Sequence, residues 1–320
     1  MTATLEIECR RLGRSQVELP RVALGCGNFG GVGSSPAFFG QGLDEDRAFA
    51  LMDAAWALGI AHFDTADAYG GGRSEEAIGR WIASRGVVPQ LTTKTFNPMA
   101  AGADHGLAPV RIERQLRSSL ERLGVEHVDL YLAHDFDPDV PLADTLAAFD
   151  ALRTAGLARA YGVSNFVADE LEAALAAGTP EAVQNSYSLL ERGDEERVLP
   201  LCATREVAYM AFGPLAGGWL TGKYRRGRPF PPGSRMTQRP EPYEDLMSAR
   251  TYTALERLET LAGERGMSMA GLALAWLLAD ERVGQIVIGP GRPEHLDPAR
   301  EALSAPLSRT ERDELSAAFD

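Results

Sequence analysis

The stretch Gly25-Cys26-Gly27-Asn28-Phe29-Gly30-Gly31 decides how the rest of the chain is read. It follows an apolar, β-rich run at 22–26, the place where a doubly wound sheet carries its glycine fingerprint. In that fold the glycines lead straight into a helix whose N-terminus holds a pyrophosphate. Here they run into a loop, 32–43, and the next amphipathic stretch begins only at Asp44. A glycine turn without a helix behind it argues against the doubly wound sheet and favours a closed parallel barrel.

Working outward, further β-rich runs lie at 61–64, 90–94, 128–134, 158–163, 182–185, 207–212 and 285–289. Amphipathic stretches at 44–58, 75–84, 109–123, 142–155 and 195–205 separate them, their apolar residues recurring at helical spacing. In the third of these, Ile112, Leu116, Leu120 and Leu123 share one face, while Arg114, Arg117, Glu121 and Arg122 fall on others. Eight strands alternating with helices predict an α/β protein, a single (β/α)8 TIM barrel over residues 1–320. Three segments break the alternation. Residues 7–19 read as an N-terminal β-hairpin around Gly13-Arg14-Ser15 that plugs the barrel floor. The loop 30–42, with Phe38 and Phe39, borders a pocket. Residues 222–242 are too long for a tight connection, and an extra helix is expected after strand 7, at 244–265.

Composition narrows the function. The 45 acidic and 32 basic residues give a net charge of −13, which excludes nucleic acid and anionic membranes as general partners. Cys9, Cys26 and Cys202 form no CxxC pair, so neither a disulfide framework nor a zinc site is expected, and no metal is predicted. With no signal-peptide core at the N-terminus, and an apolar run at 269–279 too short to span a bilayer, the reading is cytoplasmic.

The chemistry gathers at strand ends. Phe63-Asp64-Thr65-Ala66-Asp67-Ala68-Tyr69-Gly70 puts a carboxylate and a phenol a few residues apart where a strand stops. Lys94 and His134 stand at two later strand ends. Parallel barrels work at the carboxyl ends of their strands, so these four side chains are expected to converge. A free phenol titrates near 10, and a neighbouring ammonium stabilises phenolate. Asp64 would hold Lys94 in place and charged, and His134 would orient a carbonyl or relay a proton. This set supports acid–base chemistry, but none of its members can supply a hydride. Taken singly, Asp64 also suits a helix cap, Tyr69 a packing role, and Ser164 with Asn165 an N-cap.

The segments 63–70, Thr92-Thr93-Lys94, Asp129-Leu130-Tyr131-Leu132-Ala133-His134 and Tyr161-Gly162-Val163-Ser164-Asn165-Phe166 resemble the aldo-keto reductase superfamily in order and spacing. The resemblance runs from about Leu12 to the last helix. It implies a barrel that binds NADPH in extended form and reduces an aldehyde or ketone, a small-molecule carbonyl, with Tyr69 as general acid and Asp64, Lys94 and His134 completing a tetrad. It also implies that Ser164, Asn165 and Gln184 bond the nicotinamide carboxamide and that Phe212 lies on the nicotinamide face. Gly213, Pro214, Leu215 and Gly217 resemble the pyrophosphate loop, with Lys223 and Arg235 on the cofactor phosphates. The glycine turn would add Gly27, Asn28 and Phe29 to the cofactor contacts. Gly289, Gly291, Arg292 and His295 resemble the adenosine 2′-phosphate segment, with His295 where relatives carry Arg or Gln. That departure leaves NADH open as a cofactor. Substrate contacts are expected from Phe29, Phe38, Phe39, Phe96 and Phe136. The resemblance extends to potassium-channel β subunits, which share the Lys223 and Arg235 loop, so a cofactor-binding sensor subunit is the alternative function. The sequence leaves oligomeric state open.

Overall fold

The computed structural model describes residues 5–319. In chain order its elements are β1 (Cys9–Arg11), β2 (Glu18–Pro20), β3 (Val22–Gly25), α1 (Glu45–Leu58), β4 (His62–Asp64), α2 (Arg73–Arg85) and β5 (Gln90–Thr95). Then follow α3 (Pro109–Leu123), β6 (Val128–Ala133), α4 (Leu142–Thr154), β7 (Ala158–Ser164), α5 (Ala168–Ala177) and β8 (Ala182–Ser186). The remainder comprises α6 (Val198–Arg205), β9 (Ala208–Phe212), α7 (Arg235–Gln238), α8 (Ala249–Glu264), α9 (Met269–Leu278), β10 (Val283–Ile288), α10 (Asp297–Ser304) and α11 (Arg309–Ala317).

β3 to β10 pair in parallel, each with its chain neighbour, and β10 closes on β3. The expected eight-stranded barrel is therefore present. Helix boundaries follow local chemistry. Asp44 caps α1 by accepting a 3.0 Å hydrogen bond from the Arg47 N–H, and Gly59 ends that helix at φ 97°. Pro109 opens α3, whose Ile112, Leu116, Leu120 and Leu123 are buried as their spacing predicted.

The strand parity explains where the site lies. Leu130, Leu132, Ala160, Ala182 and Met210 cluster together inside the barrel, while Tyr131, Tyr161, Val183 and Tyr209 face the helices. Successive side chains alternate between faces, so the next inward residues on these strands come at their carboxyl ends. They are His134, Ser164, Gln184 and Phe212, with Lys94 opposite Leu132 in register.

The other end is plugged as expected. β1 and β2 form an antiparallel hairpin, and Leu12, Val17 and Leu19 pack against the interior cluster. Gly13 sits at the hairpin tip with φ 56°, where an added β-carbon would lie 2.4 Å from the Glu181 carbonyl oxygen.

The strap after β9 differs from expectation in one respect. The helix predicted at 244–265 starts later, at Ala249, because Ser248 accepts from the Thr251 N–H at 3.1 Å and caps it there. Residues 241–246 instead form a 3-10 turn behind Pro240. Among the described residues no helix is long and apolar enough to cross a membrane, and no group of acidic, histidine or cysteine side chains is arranged to hold a metal.

Candidate active site

β4 and β5 lie side by side, with Asp64 paired to Thr92, so the inward residues Asp64 and Lys94 meet at the carboxyl rim. Lys94 Nζ donates to Asp64 Oδ1 at 2.5 Å and to the Thr65 carbonyl at 2.9 Å. The other carboxylate oxygen, Oδ2, accepts from Gln184 Nε2 at 2.8 Å. Asp64 and Lys94 are both buried. Burial works against the Lys94 charge, but Asp64 and Tyr69 outweigh it and hold the ammonium above its ordinary pKa. Asp64 therefore serves this pair and caps no helix.

Lys94 Nζ lies 5.2 Å from the centre of the Tyr69 ring, and the His134 ring meets Tyr69 edge-on at 5.5 Å. Lys94 and His134 thus flank the phenol, with Asp64 bonded to the lysine. Burial raises the Tyr69 pKa above 10, and Lys94 pulls against that rise without cancelling it. Desolvation outweighs the lysine's stabilisation of phenolate, the one effect legible in the sequence. His134 is pushed down to about 3, first by burial and then by Lys94, so its imidazole is neutral. Its Nδ1 is buried without a hydrogen-bond partner among the described residues.

The glycine turn borders the same phenol. A side chain at Gly27 would lie 3.5 Å from Tyr69 Cε2, in van der Waals contact. Asn28 Nδ2 donates to the Pro290 carbonyl at 2.9 Å, tying the turn to the 289–295 segment, while Asn28 Oδ1 is buried and unpartnered. Phe29 departs from expectation: its side chain is wholly buried in the core, so only its backbone is left to meet a ligand or substrate. Phe38, Phe39, Phe96, Phe136 and Phe212 keep partial exposure.

Ser164 and Gln184 are buried and linked, the Ser164 hydroxyl donating to the Gln184 carbonyl at 2.8 Å. Asn165 is exposed, takes a left-handed φ of 62° and donates from Nδ2 to the His134 carbonyl at 2.8 Å. Neither caps α5, which begins three residues after Asn165 with Val167 as its N-cap.

Beyond β9, Gly213, Gly217 and Gly218 all have positive φ, and Ala216 joins them at 45°. Pro214 is buried and Leu215 packs partly into the core, so this loop exposes backbone. A side chain at Gly218 would run into the Lys223 ammonium. Lys223 is pushed below its ordinary pKa by burial and by Arg235, and neither of these cations has a carboxylate partner among the described residues. Arg292 lies 3.6 Å from Glu294, both exposed, and His295 Nδ1 accepts from the Gly291 N–H at 3.2 Å. Gly289 has open space on its side-chain face.

Two neighbours of the site carried no signal in the sequence. The Tyr243 ring covers Gly217, and Arg239 lies over Phe38. Both come from the irregular strap, where no periodicity assigns side chains to a face. The link from Gln184 to Asp64 was equally hidden, since it joins strands 120 positions apart.

The "Aldo/keto reductase family" model matches residues 21–319. The chain is 32% identical over 317 residues to an L-glyceraldehyde 3-phosphate reductase of Escherichia coli K12, covering 93% of this chain and 88% of that protein. It is 30% identical over 312 residues to an NADH-specific methylglyoxal reductase of the same strain, covering 93% and 94%. A solved structure, the glycerol dehydrogenase AKR11B4 from Gluconobacter oxydans, superposes with a TM-score of 0.82 at 26% identity, covering 97% of this chain and 94% of that one. With a closed barrel, a family match over nearly the whole chain and relatives above 30% identity, this chain belongs to the aldo/keto reductase family, whose members use nicotinamide cofactors in oxidoreductase chemistry on small carbonyl compounds.

Proposed function

We propose that the protein reduces an aldehyde or ketone to an alcohol at the expense of NADPH, with Tyr69 donating the proton. The observation that carries this reading is the buried Asp64–Lys94 pair beside the Tyr69 ring, with a neutral His134 at that ring's edge. Tyr69 keeps its proton throughout the neutral range, because its pKa lies above 10. As negative charge develops on its oxygen, the Lys94 ammonium stabilises it, and Asp64 keeps that ammonium charged and in place. His134, uncharged, is suited to hydrogen-bond the carbonyl oxygen and hold it toward Tyr69. The bound nicotinamide supplies the hydride, which no side chain here can.

The residues around the mouth fit such a cofactor. Unpartnered polar atoms on Asn28 and His134, a backbone-lined glycine loop at 213–218 and two unneutralised cations are what an extended dinucleotide would satisfy. In this reading Ser164, Asn165 and Gln184 hold the carboxamide, and Phe212 lies against the nicotinamide ring. Gly27, Asn28 and the Phe29 backbone complete the cradle. Gly213, Pro214, Leu215 and Gly217 carry the pyrophosphate, with Lys223 and Arg235 on the phosphates. Gly289, Gly291, Arg292 and His295 receive the adenosine end. Arg292 is partly neutralised by Glu294, and His295 is pushed toward its neutral form by burial and then Arg292. Both features support only a modest preference for NADPH over NADH. We assign residues 1–320 to one barrel domain acting in the cytosol.

The test is a fluorescence titration of the protein with NADPH and with NADH, followed by a panel of aldehydes and ketones. Tight binding with oxidation of the cofactor supports the proposal. Binding with no turnover on any carbonyl would favour the sensor-subunit reading, and no binding of either nucleotide would overturn the proposal.

A further inference from the structure

Lys223, Arg235 and Arg239 are three cations at the mouth with no carboxylate partner among the described residues. Elsewhere in this acidic chain arginines such as Arg80, Arg85 and Arg312 are bound to carboxylates. Lys223 and Arg235 act on one another beside the glycine loop and are accounted for by cofactor phosphates. Arg239 is not accounted for. Its guanidinium lies over the Phe38 ring at 5.7 Å, and its Nη1 stands 3.3 Å from where a side chain on Gly33 would begin.

Gly33 connects this guanidinium to the reacting centre. Its N–H donates to the Gly27 carbonyl at 2.7 Å, and its own carbonyl accepts from the Gly70 N–H at 3.4 Å. Gly27 lies against the Tyr69 ring, and Gly70 follows Tyr69 in the chain. Arg239 thus stands beside Gly33, which is hydrogen-bonded to the two glycines that flank Tyr69. Arg73 adds positive charge on the same rim: its Nη1 donates to the Gly70 carbonyl at 2.6 Å and its stem packs on Gly30. A half-buried guanidinium whose N–H donors are uncommitted is suited to bind an oxyanion, for which its planar fork is shaped.

We propose that Arg239 binds an anionic group, phosphate or carboxylate, at the far end of the substrate, so that the enzyme selects short aldehydes bearing a terminal oxyanion. This inference rests on the reductase reading. It adds to that reading a substrate class and the residue that selects it.

The experiment compares NADPH oxidation with glyceraldehyde, glyceraldehyde 3-phosphate and succinic semialdehyde, in the wild-type protein and in Arg239→Gln and Arg239→Lys. The wild type should favour an anionic aldehyde over neutral glyceraldehyde in kcat/KM, and which of the two anions is better used identifies the group. In Arg239→Gln that preference should fall by about ten- to a hundredfold, mainly through KM, the size of a lost charge-assisted contact. Arg239→Lys should recover part of it, and NADPH affinity should stay within about twofold of wild type. A wild type that prefers glyceraldehyde, or an Arg239→Gln that loses activity equally on all three, overturns the proposal. So does a large loss of NADPH affinity, which would assign Arg239 to the cofactor. Absence of NADPH oxidation with all three aldehydes and with methylglyoxal would instead remove the reductase reading itself.

Discussion

Lys94 is a charged side chain in a barrel interior, and it is tolerated there because Asp64 and the Thr65 carbonyl take its hydrogen bonds. Breaking such a pair costs more than the pair contributes, since it leaves one charge buried and uncompensated. Asp64→Asn should therefore lower unfolding stability by about 3–5 kcal/mol in a denaturant titration, besides lowering activity. Tyr69→Phe removes only a hydroxyl and no ion pair. It should fold as the wild type and bind NADPH with unchanged affinity, while carbonyl reduction falls by about 10²- to 10⁴-fold in single-turnover assays. Asp64 and Lys94 were legible in the sequence because each stands where a short apolar run ends and strand parity turns it inward, while Tyr69 follows in the short turn after the first of those strands. What was not legible is the weight of desolvation on Tyr69 and the hydrogen bond from Gln184, which depend on the packing of neighbouring strands.

At the level of elements, the hairpin and the strap behave differently as sequence. The hairpin was readable from Gly13-Arg14-Ser15 between two apolar flanks, and it closes the floor through Leu12, Val17 and Leu19. Gly13 occupies the left-handed region, and a β-carbon there would meet the Glu181 carbonyl, so it has neither a favourable φ nor space. Gly13→Ala should destabilise the protein by at least about 1–2 kcal/mol, read from the denaturant midpoint. Turnover of the folded fraction should be unaffected, because the hairpin closes the end opposite the site. The strap between β9 and α8 lacks a helical or strand period, so its helix start at Ser248 and the placement of Tyr243 and Arg239 over the mouth emerged only from the structure. The alternating strands and helices were legible because the barrel repeats a two-residue and a 3.6-residue pattern eight times over.

Across the whole molecule, buried titratable groups set how stability follows pH. His62 is locked between Thr92 and Gln285 at 2.8 Å each, and burial depresses its pKa to about 4. His134 is depressed to about 3. Unfolded, each would titrate near 6.5, so the unfolded chain takes up protons that the folded one does not as pH falls below that value. Their contribution is complete above pH 6.5 and is lost as the medium acidifies toward pH 4 and 3. Asp67 opposes them. Burial raises its carboxyl to about 7, against an unfolded value near 3.8, so its contribution is complete below 3.8 and is lost as pH rises through 7. Thermal melts from pH 4 to 8 should therefore show Asp67→Asn gaining on the wild type as pH rises, at up to about 1.4 kcal/mol per pH unit, and His62→Gln losing the His62 share of the acid sensitivity. A constant offset between variant and wild type at every pH would contradict these assignments.

The proposed reaction takes a proton from Tyr69 and a hydride from the bound cofactor, and rapid mixing separates the two contributions. Protein saturated with NADPH is mixed rapidly with glyceraldehyde or methylglyoxal, and the loss of NADPH absorbance is followed in the wild type and in Tyr69→Phe. A fast single turnover is expected in the wild type, and in the variant a rate lower by about 10²- to 10⁴-fold at unchanged NADPH affinity. Equal rates in the two proteins, or no cofactor oxidation in either, would contradict it.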